Sequence, residues 1–321
     1  YVLFYPQLVA GPIERPQNIL HQLRVEHTWD PVRAVDGLRL MLWGFFKKVV
    51  VADRLAAIVD AVYADPDRWP GPVLALATVA FAFRIYADFS GYSDIAIGAA
   101  RVMGINLMTN FRQPYVSRSV SEFWTRWHIS LSTWFRDYLY IPLGGSRVGP
   151  WRHRFNLLAT FLVSGLWHGA NWTYLVWGGL NGMFLIVERE LKLDRRRAWW
   201  GLPLTFALIC VTWIFFRATT IEQGMSVLAG LPRAPGAILE PGVILSAFAG
   251  MNILWYELGL AFLALATLIA VDFRLHVRDE ALPALIATLP SGLRWTTYYV
   301  VGAAIAGLGV FGRQQFIYFQ F

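Results

Sequence analysis

Two of the six histidines in this 321-residue chain stand where they could do chemistry. His128 and His168 are each set in Trp-rich apolar sequence, as Trp127-His128 and Trp167-His168-Gly169. His21, His27, His153 and His276 lie in polar or basic stretches, where solvated rings are expected. A neutral imidazole costs less in a low dielectric than a carboxylate or an ammonium, so it remains a proton acceptor near neutrality. That suits a general base acting on a hydroxyl nucleophile, a task typically contributing ~10²–10⁴-fold. The plain structural alternative is a packed histidine bonded to a neighbouring helix.

Other chemistries find less support. Neither the HxxxH nor the HExxH spacing occurs, so no metal site is expected. The single cysteine, Cys210, excludes an intrachain disulfide and leaves little for thiol or iron–sulfur chemistry. There is no GxSxG elbow and no GxxxxGK[ST] loop. On residue chemistry alone the chain is a membrane enzyme or transporter with one or two functional histidines.

The element that must position His168 is Leu157–Ile186, thirty residues without Asp, Glu, Lys or Arg. As one straight helix it would reach ~45 Å, against a hydrocarbon core of ~30 Å. It is therefore expected to tilt, or to break at Gly169-Ala170-Asn171 or Gly178-Gly179. Composition agrees with a membrane setting. The chain is 56% hydrophobic and 15% charged, against ~25% charged in an average soluble domain. Its 15 Trp, 13 Tyr and 22 Phe include the types that settle at membrane–water interfaces. The expectation is an all-α polytopic membrane protein, a single domain over 1–321. The net charge of +7 gathers in juxtamembrane clusters, Arg152-His153-Arg154 and Arg195-Arg196-Arg197. These read as positive-inside loops beside anionic lipid, with no nucleic-acid partner. They flank Leu157–Ile186 on both sides, so charge gives no orientation if that stretch spans once. The chain opens mid-hydrophobic at Tyr1–Ala10, where the pattern reads as chain interior and no signal peptide is expected. Further N-terminal helices are expected to precede it.

Tyr1–Pro16 is interrupted by three prolines and Gly11, and reads as a loop shielded at membrane depth in which Glu14 and Arg15 could pair. Val32–Tyr63 is helical by pattern, with Lys47, Lys48, Asp53 and Arg54 near its centre, and is either buried in a bundle or partly interfacial. Pro72–Val102 carries Arg84, Asp88 and Asp94. Arg84 and Asp88 share a helix face, which allows an ion pair or a polar cavity lining. Ser119–Tyr140 opens with a capping-box signature, Ser119 and Glu122, and is too polar to span; it reads as an amphipathic helix in or under the membrane. On such a helix His128 has Trp124, Thr125, Leu131 and Ser132 as neighbours. Trp199–Phe216, Pro241–Val271 and Trp295–Gly312 are apolar runs joined by the polar connections Glu188–Arg197 and Arg217–Glu240.

The strings FWTRWHISLSTWFRDYLYIPLGG (Phe123–Gly145) and FLVSGLWHGANWTYLVWGGLNG (Phe161–Gly182) are long and specific. With YPQLVAGPIERP and the ending FIYFQF, they make the whole chain resemble the membrane-bound O-acyltransferase family, in its bacterial alginate O-acetyltransferase-like branch. The resemblance implies a helical funnel with a largely horizontal amphipathic helix, in the bacterial inner membrane. It maps the family's principal catalytic histidine onto His168 and its second histidine onto His128. Members usually begin with several more membrane helices than this chain shows.

The mechanism so implied has His168 accept the proton of an acceptor hydroxyl as it attacks an acyl thioester, with His128 orienting or sharing the site. The donor is acetyl-CoA or an acyl-carrier equivalent, and no tightly bound cofactor is expected. By analogy the acetyl group passes to an extracytoplasmic partner acetyltransferase and on to exopolysaccharide such as alginate; membrane lipid is the other partner. Arg126 and Arg136 could hold donor phosphates, or form a basic face toward anionic lipid. Two rivals stand beside this reading: a proton-coupled polysaccharide or lipid transporter, and a non-catalytic membrane scaffold for a partner acetyltransferase.

Overall fold

The computed structural model describes residues 1–191, 199–236, 241–251, 253–312 and 316, and among these it contains helices and no strand. An irregular N-terminal segment with one 3-10 turn, Tyr5–Gln7, leads into α1 (Pro16–Leu23). Asp30 caps α2 (Pro31–Phe45): its carboxylate accepts from the amides of Val32 and Arg33. Pro31 takes the first helical position, where no amide donor is needed. A π-helical segment, Phe46–Ala52, joins α2 to α3 (Asp53–Ala64), and α4 (Gly71–Val102) returns antiparallel to α2. Glycines set that contact. A Cβ on Gly37 would stand 2.6 Å from the Gly98 carbonyl oxygen, and one on Gly44 would stand 2.6 Å from that of Gly91. Such close backbone approach needs the smallest residue on both sides.

The π-helical segment sends two adjacent lysines to different carboxylates, as a π-bulge can by shifting the helix phase. Lys47 reaches Asp94 at 2.7 Å and Ser90 at 2.8 Å, whereas Lys48 reaches Asp53 at 2.7 Å and Asp88 at 2.6 Å. Lys47 and Asp53 are buried, so this stretch belongs to the bundle interior. Arg84 and Asp88, for which an ion pair along α4 and a polar cavity lining were both open, each reach another segment: Asp88 binds Lys48, and Arg84 binds Asp60 of α3 at 2.6 Å.

Ser119 caps α5 (Val120–Arg126), its hydroxyl accepting the Glu122 amide at 3.0 Å. The helix expected to run unbroken over Ser119–Tyr140 stops at Trp127. It resumes as α6 (Ile129–Phe135) and a π-helical turn, Arg136–Tyr140. Leu157–Ile186 is likewise not one helix. It contributes to α7 (Pro150–His168) and α8 (Trp172–Glu190), which fold into a hairpin at Gly169-Ala170-Asn171. Asn171 starts α8 by accepting the Thr173 amide. Gly178 stays helical and lets the Phe161 carbonyl of α7 approach where a Cβ would stand. Because the stretch doubles back, its flanks lie at the same end, where Arg154 pairs with Glu190 at 2.9 Å. The second basic cluster, Arg195-Arg196-Arg197, lies outside the described residues, as does the ending FIYFQF apart from Phe316.

Beyond the hairpin come α9 (Gly201–Arg217) and α10 (Ile221–Gly230), the latter capped by Thr220 within the expected polar connection. The apolar run Pro241–Val271 divides into α11 (Pro241–Gly250) and α12 (Trp255–Arg278), with the Glu257 carboxylate accepting the Leu254 amide at 3.0 Å at the break. Two further helices, α13 (Leu282–Ala287) and α14 (Ser291–Leu308), complete the order. Among the described residues α4 and α12 are long and apolar enough to cross a membrane; α4 is mostly covered by protein and α12 mostly uncovered. The core between them is rich in aromatics, with Tyr63, Phe81, Phe123, Trp177 and Trp213 fully buried.

Candidate active site

The residues of α7 at helical spacing, Leu157, Thr160, Phe161, Ser164 and His168, line one wall of a cavity of about 310 Å³. They share a face because three- and four-residue steps return to the same side of a helix. From Leu157 to His168 that wall runs ~17 Å at ~1.5 Å per residue. The facing wall is Trp124, Thr125, His128, Leu131 and Ser132, and Trp177 of α8 contributes as well. The break between α5 and α6 thus leaves the neighbours expected of His128 on one side.

His128 occupies the break itself, with φ 41° and ψ 55°. This left-handed conformation is costly for any residue with a side chain, and persists where its surroundings fix it. Asn110, completely buried, supplies the fixing contacts. Its carbonyl accepts the Ile129 amide at 2.9 Å, its Oδ1 accepts the Ser130 hydroxyl at 2.8 Å and amide at 3.3 Å, and its Nδ2 donates to Ser93 at 3.2 Å. The His128 ring packs edge-on against Phe89, with centroids 4.6 Å apart, and lies 6.3 Å from Trp167.

His168 ends α7 inside an aromatic cage of Trp167, Trp177 and Phe216, at centroid distances of 5.0, 5.3 and 5.0 Å. Among the described residues neither His128 nor His168 has a hydrogen bond to its ring. Two imidazoles in one largely apolar cavity, with ring nitrogens not engaged by those residues, can accept a proton from a bound hydroxyl. A second cavity, of about 400 Å³, is walled by the N-terminal segment, Phe89, Trp167 and again His128. His128 therefore faces both.

Arg136 lines the histidine cavity and pairs with Asp137 at 2.7 Å. Asp137 also binds Arg15 at 2.7 Å, so Arg15 does not make the pair with Glu14 that adjacency allowed; Glu14 accepts the Met108 amide instead. The hydrogen bond from Arg136, with the charge of Arg15 behind it, holds the Asp137 carboxyl below its ordinary range. Arg126 is placed differently: it pairs with Glu122 at 3.0 Å and donates to the Arg112 carbonyl at 3.2 Å, away from the cavity-lining set. His153, expected in a solvated loop, is buried on α7, within 2.7 Å of the Tyr140 hydroxyl and 2.9 Å of Arg189 Nη1. Among the described residues no group of three or more His, Cys, Asp or Glu side chains could hold a metal ion.

Sequence reasoning did not single out Asn110, Ser164 or Trp177. Counting back from His168 in helical steps would have found Ser164; nothing local marks Asn110.

Residues 1–225 match the sequence profile of the membrane-bound O-acyltransferase family. The chain is 38% identical to a probable alginate O-acetylase of Pseudomonas putida, over 100% of its own length and 68% of the relative's. It is 44% identical to a probable alginate O-acetylase of Pseudomonas aeruginosa, over 69% of the chain and 43% of the relative. It is also 37% identical to a peptidoglycan O-acetyltransferase of Helicobacter pylori, over 74% of the chain and 47% of the relative. The chain thus spans about two thirds of the first relative's length and less than half of the other two. With a profile match over most of its residues and this level of identity, the chain belongs to the membrane-bound O-acyltransferase family.

Proposed function

We propose that the protein is a multi-pass O-acyltransferase of the bacterial inner membrane, moving an acetyl group from a cytoplasmic thioester toward an exopolysaccharide such as alginate. The observation that carries this reading is the convergence of His128 and His168, from separate segments, on one cavity. Polysaccharide acetylation is what the names of its relatives describe. His168 takes the proton of the acceptor hydroxyl while that oxygen bonds to the thioester carbonyl carbon. The carbon–sulfur bond then breaks, and the proton held by the imidazole passes to the departing thiolate. His128, fixed by Asn110, orients the acceptor or shares the proton. Arg136 lies on the cavity wall where donor phosphates could be held, while Arg126 secures α5 to the loop at Arg112. The donor is acetyl-CoA or an acyl-carrier thioester, the acetyl group passes through an extracytoplasmic acetyltransferase, and α5–α6 lies along the membrane as the horizontal element of the funnel.

The test is His168→Ala in cells that otherwise lack the protein. Ester-linked acetyl on surface polysaccharide and thioester consumption by membranes should both be lost while protein level holds. Acetylation near the wild-type amount would overturn the assignment and favour a scaffold. Loss of polysaccharide export with thioester consumption intact would point to a transporter.

A further inference from the structure

A third cavity, of about 410 Å³, shares no lining residue with the two at the histidines. It lies between the end of α4, the Thr109–Gln113 loop and the α12–α13 turn. Tyr86 and Phe111 line it and pack on Trp127, with centroids 6.2 and 5.0 Å away, so a single aromatic layer separates it from the histidine site.

Some of its charges are already satisfied. Lys47 and Asp94 bind each other at 2.7 Å, and Asp272 accepts the Tyr86 hydroxyl at 2.7 Å. Others are not. Arg101 and Arg112 line the cavity, and among the described residues neither guanidinium makes a hydrogen bond or ion pair. From the α12–α13 turn come Asp279 and Glu280, and Oε2 of Glu280 is buried without a hydrogen-bond partner. Leaving a carboxylate oxygen so is costly, and guanidiniums bind phosphate oxygens well. A purely anionic ligand would meet more carboxylates than cations here, since Asp94, Asp272, Asp279 and Glu280 outnumber Lys47, Arg101 and Arg112. A ligand bearing a phosphate and, a few atoms away, an ammonium answers both sets. Phe273 and Val277, two residues either side of the cavity residue Leu275 and so on the outer face of α12, are 58% and 62% exposed, giving acyl chains that pass round the helix an apolar surface to follow on a helix fit to cross a bilayer.

We infer that this cavity binds the zwitterionic headgroup of an aminophospholipid, its phosphate at Arg101 and Arg112, its ammonium at Glu280 and its chains along α12. The experiment uses the full chain in nanodiscs of equal phosphatidylethanolamine and phosphatidylglycerol, released into mild detergent and weighed by native mass spectrometry. The wild-type protein should retain phosphatidylethanolamine over phosphatidylglycerol by about tenfold or more, as expected when a charged hydrogen bond is made to one and not the other. Arg101→Ala with Arg112→Ala should abolish that retention, and Glu280→Gln should keep binding while losing the preference. Equal retention of both lipids by the wild type would overturn the proposal whether or not the variants fold. So would displacement of the lipid by water-soluble glycerophosphoethanolamine or inorganic phosphate at matched concentration, which would identify a soluble phosphate as the occupant.

Discussion

Replacing Asn110 by alanine asks whether the cavity depends on the left-handed turn at His128. The Asn110 side chain makes three hydrogen bonds: from the Ser130 hydroxyl at 2.8 Å, from the Ser130 amide at 3.3 Å, and to Ser93 at 3.2 Å. Its site is fully closed to solvent. The Ser130 hydroxyl keeps the Ile13 amide as a partner, so the Ser130 amide and the Ser93 hydroxyl are the two groups that lose theirs; at about 1–3 kcal/mol for each buried polar group so left, the fold should be destabilised by about 2–6 kcal/mol. The left-handed conformation itself stores about 1–3 kcal/mol, which Asn110 offsets. Freed of that bracket, His128 can relax toward ordinary helix and carry its ring out of register with His168. At about 1.4 kcal/mol per tenfold in rate, acetyl transfer should fall ~10- to 100-fold, measured below the variant's unfolding temperature on detergent-solubilised protein. Asn110→Asp keeps the acceptor for Ser130 and loses the donor to Ser93, so it should fall between. His128→Asn supplies the control, because asparagine tolerates the left-handed region: stability should hold while transfer is lost. A folded Asn110→Ala protein with the wild-type rate would refute the reasoning.

Lys48→Met leaves Asp53 and Asp88 without the cation between them; removing one partner of a buried ion pair costs about 3–5 kcal/mol, so the detergent-solubilised protein should unfold at markedly lower temperature, and a change below about 1 kcal/mol would contradict the account. Gly44→Val pushes a side chain into the Gly91 carbonyl and should separate α2 from α4, seen as loss of a monodisperse peak in gel filtration, while Gly292→Ala on α14, where a Cβ meets nothing, should be neutral. The exposed Asp67 carboxyl is held below its ordinary range by the Ser226 hydroxyl and then by Arg233. A carboxyl lowered on folding contributes stability above its unfolded value near ~3.9 and loses it as pH falls through the folded value. Acid below about pH 4 should therefore loosen α10, read as faster amide exchange there, and Asp67→Asn should remove that part of the pH dependence.

His168 was legible because a charge-free stretch limits where an ionisable ring can sit; its face, Leu157, Phe161, Ser164 and His168 at helical spacing, was countable in the sequence but was not singled out. The break that makes the hairpin could be offered only beside a tilt and a break at Gly178-Gly179. Residue type alone does not separate the two breaks, since Asn171 and Asn181 each stand two residues after a glycine: Asn171 caps α8, whereas Asn181 stays helical, its Nδ2 donating to the Trp177 carbonyl and its Oδ1 accepting from Trp124, and Gly178 serves packing. The break at His128 left no local trace: Ser119 and Glu122 start the helix, and the spacing of lining residues runs on through the interruption. Its cause is Asn110, far upstream, so only tertiary structure shows it. His153 misled because its neighbours are arginines; one residue along a helix turns the side chain by about 100°, and His153 points to Tyr140 and Arg189 instead.

The α7–α8 hairpin has a consequence for what can reach the ring it carries. Its two arms are rooted beside each other in a collar of guanidiniums and carboxylates, and His168 stands about 21 Å above Arg154 at ~1.5 Å per residue. From that collar the face of α7 leads past Leu157, Phe161 and Ser164 along the wall of a cavity with room for only about 310 Å³ in all. A bulky molecule can enter that cavity only by a slender arm, with its body left outside. The shape of the hairpin thus limits by outline what can reach the imidazole before any contact there can sort it by chemistry.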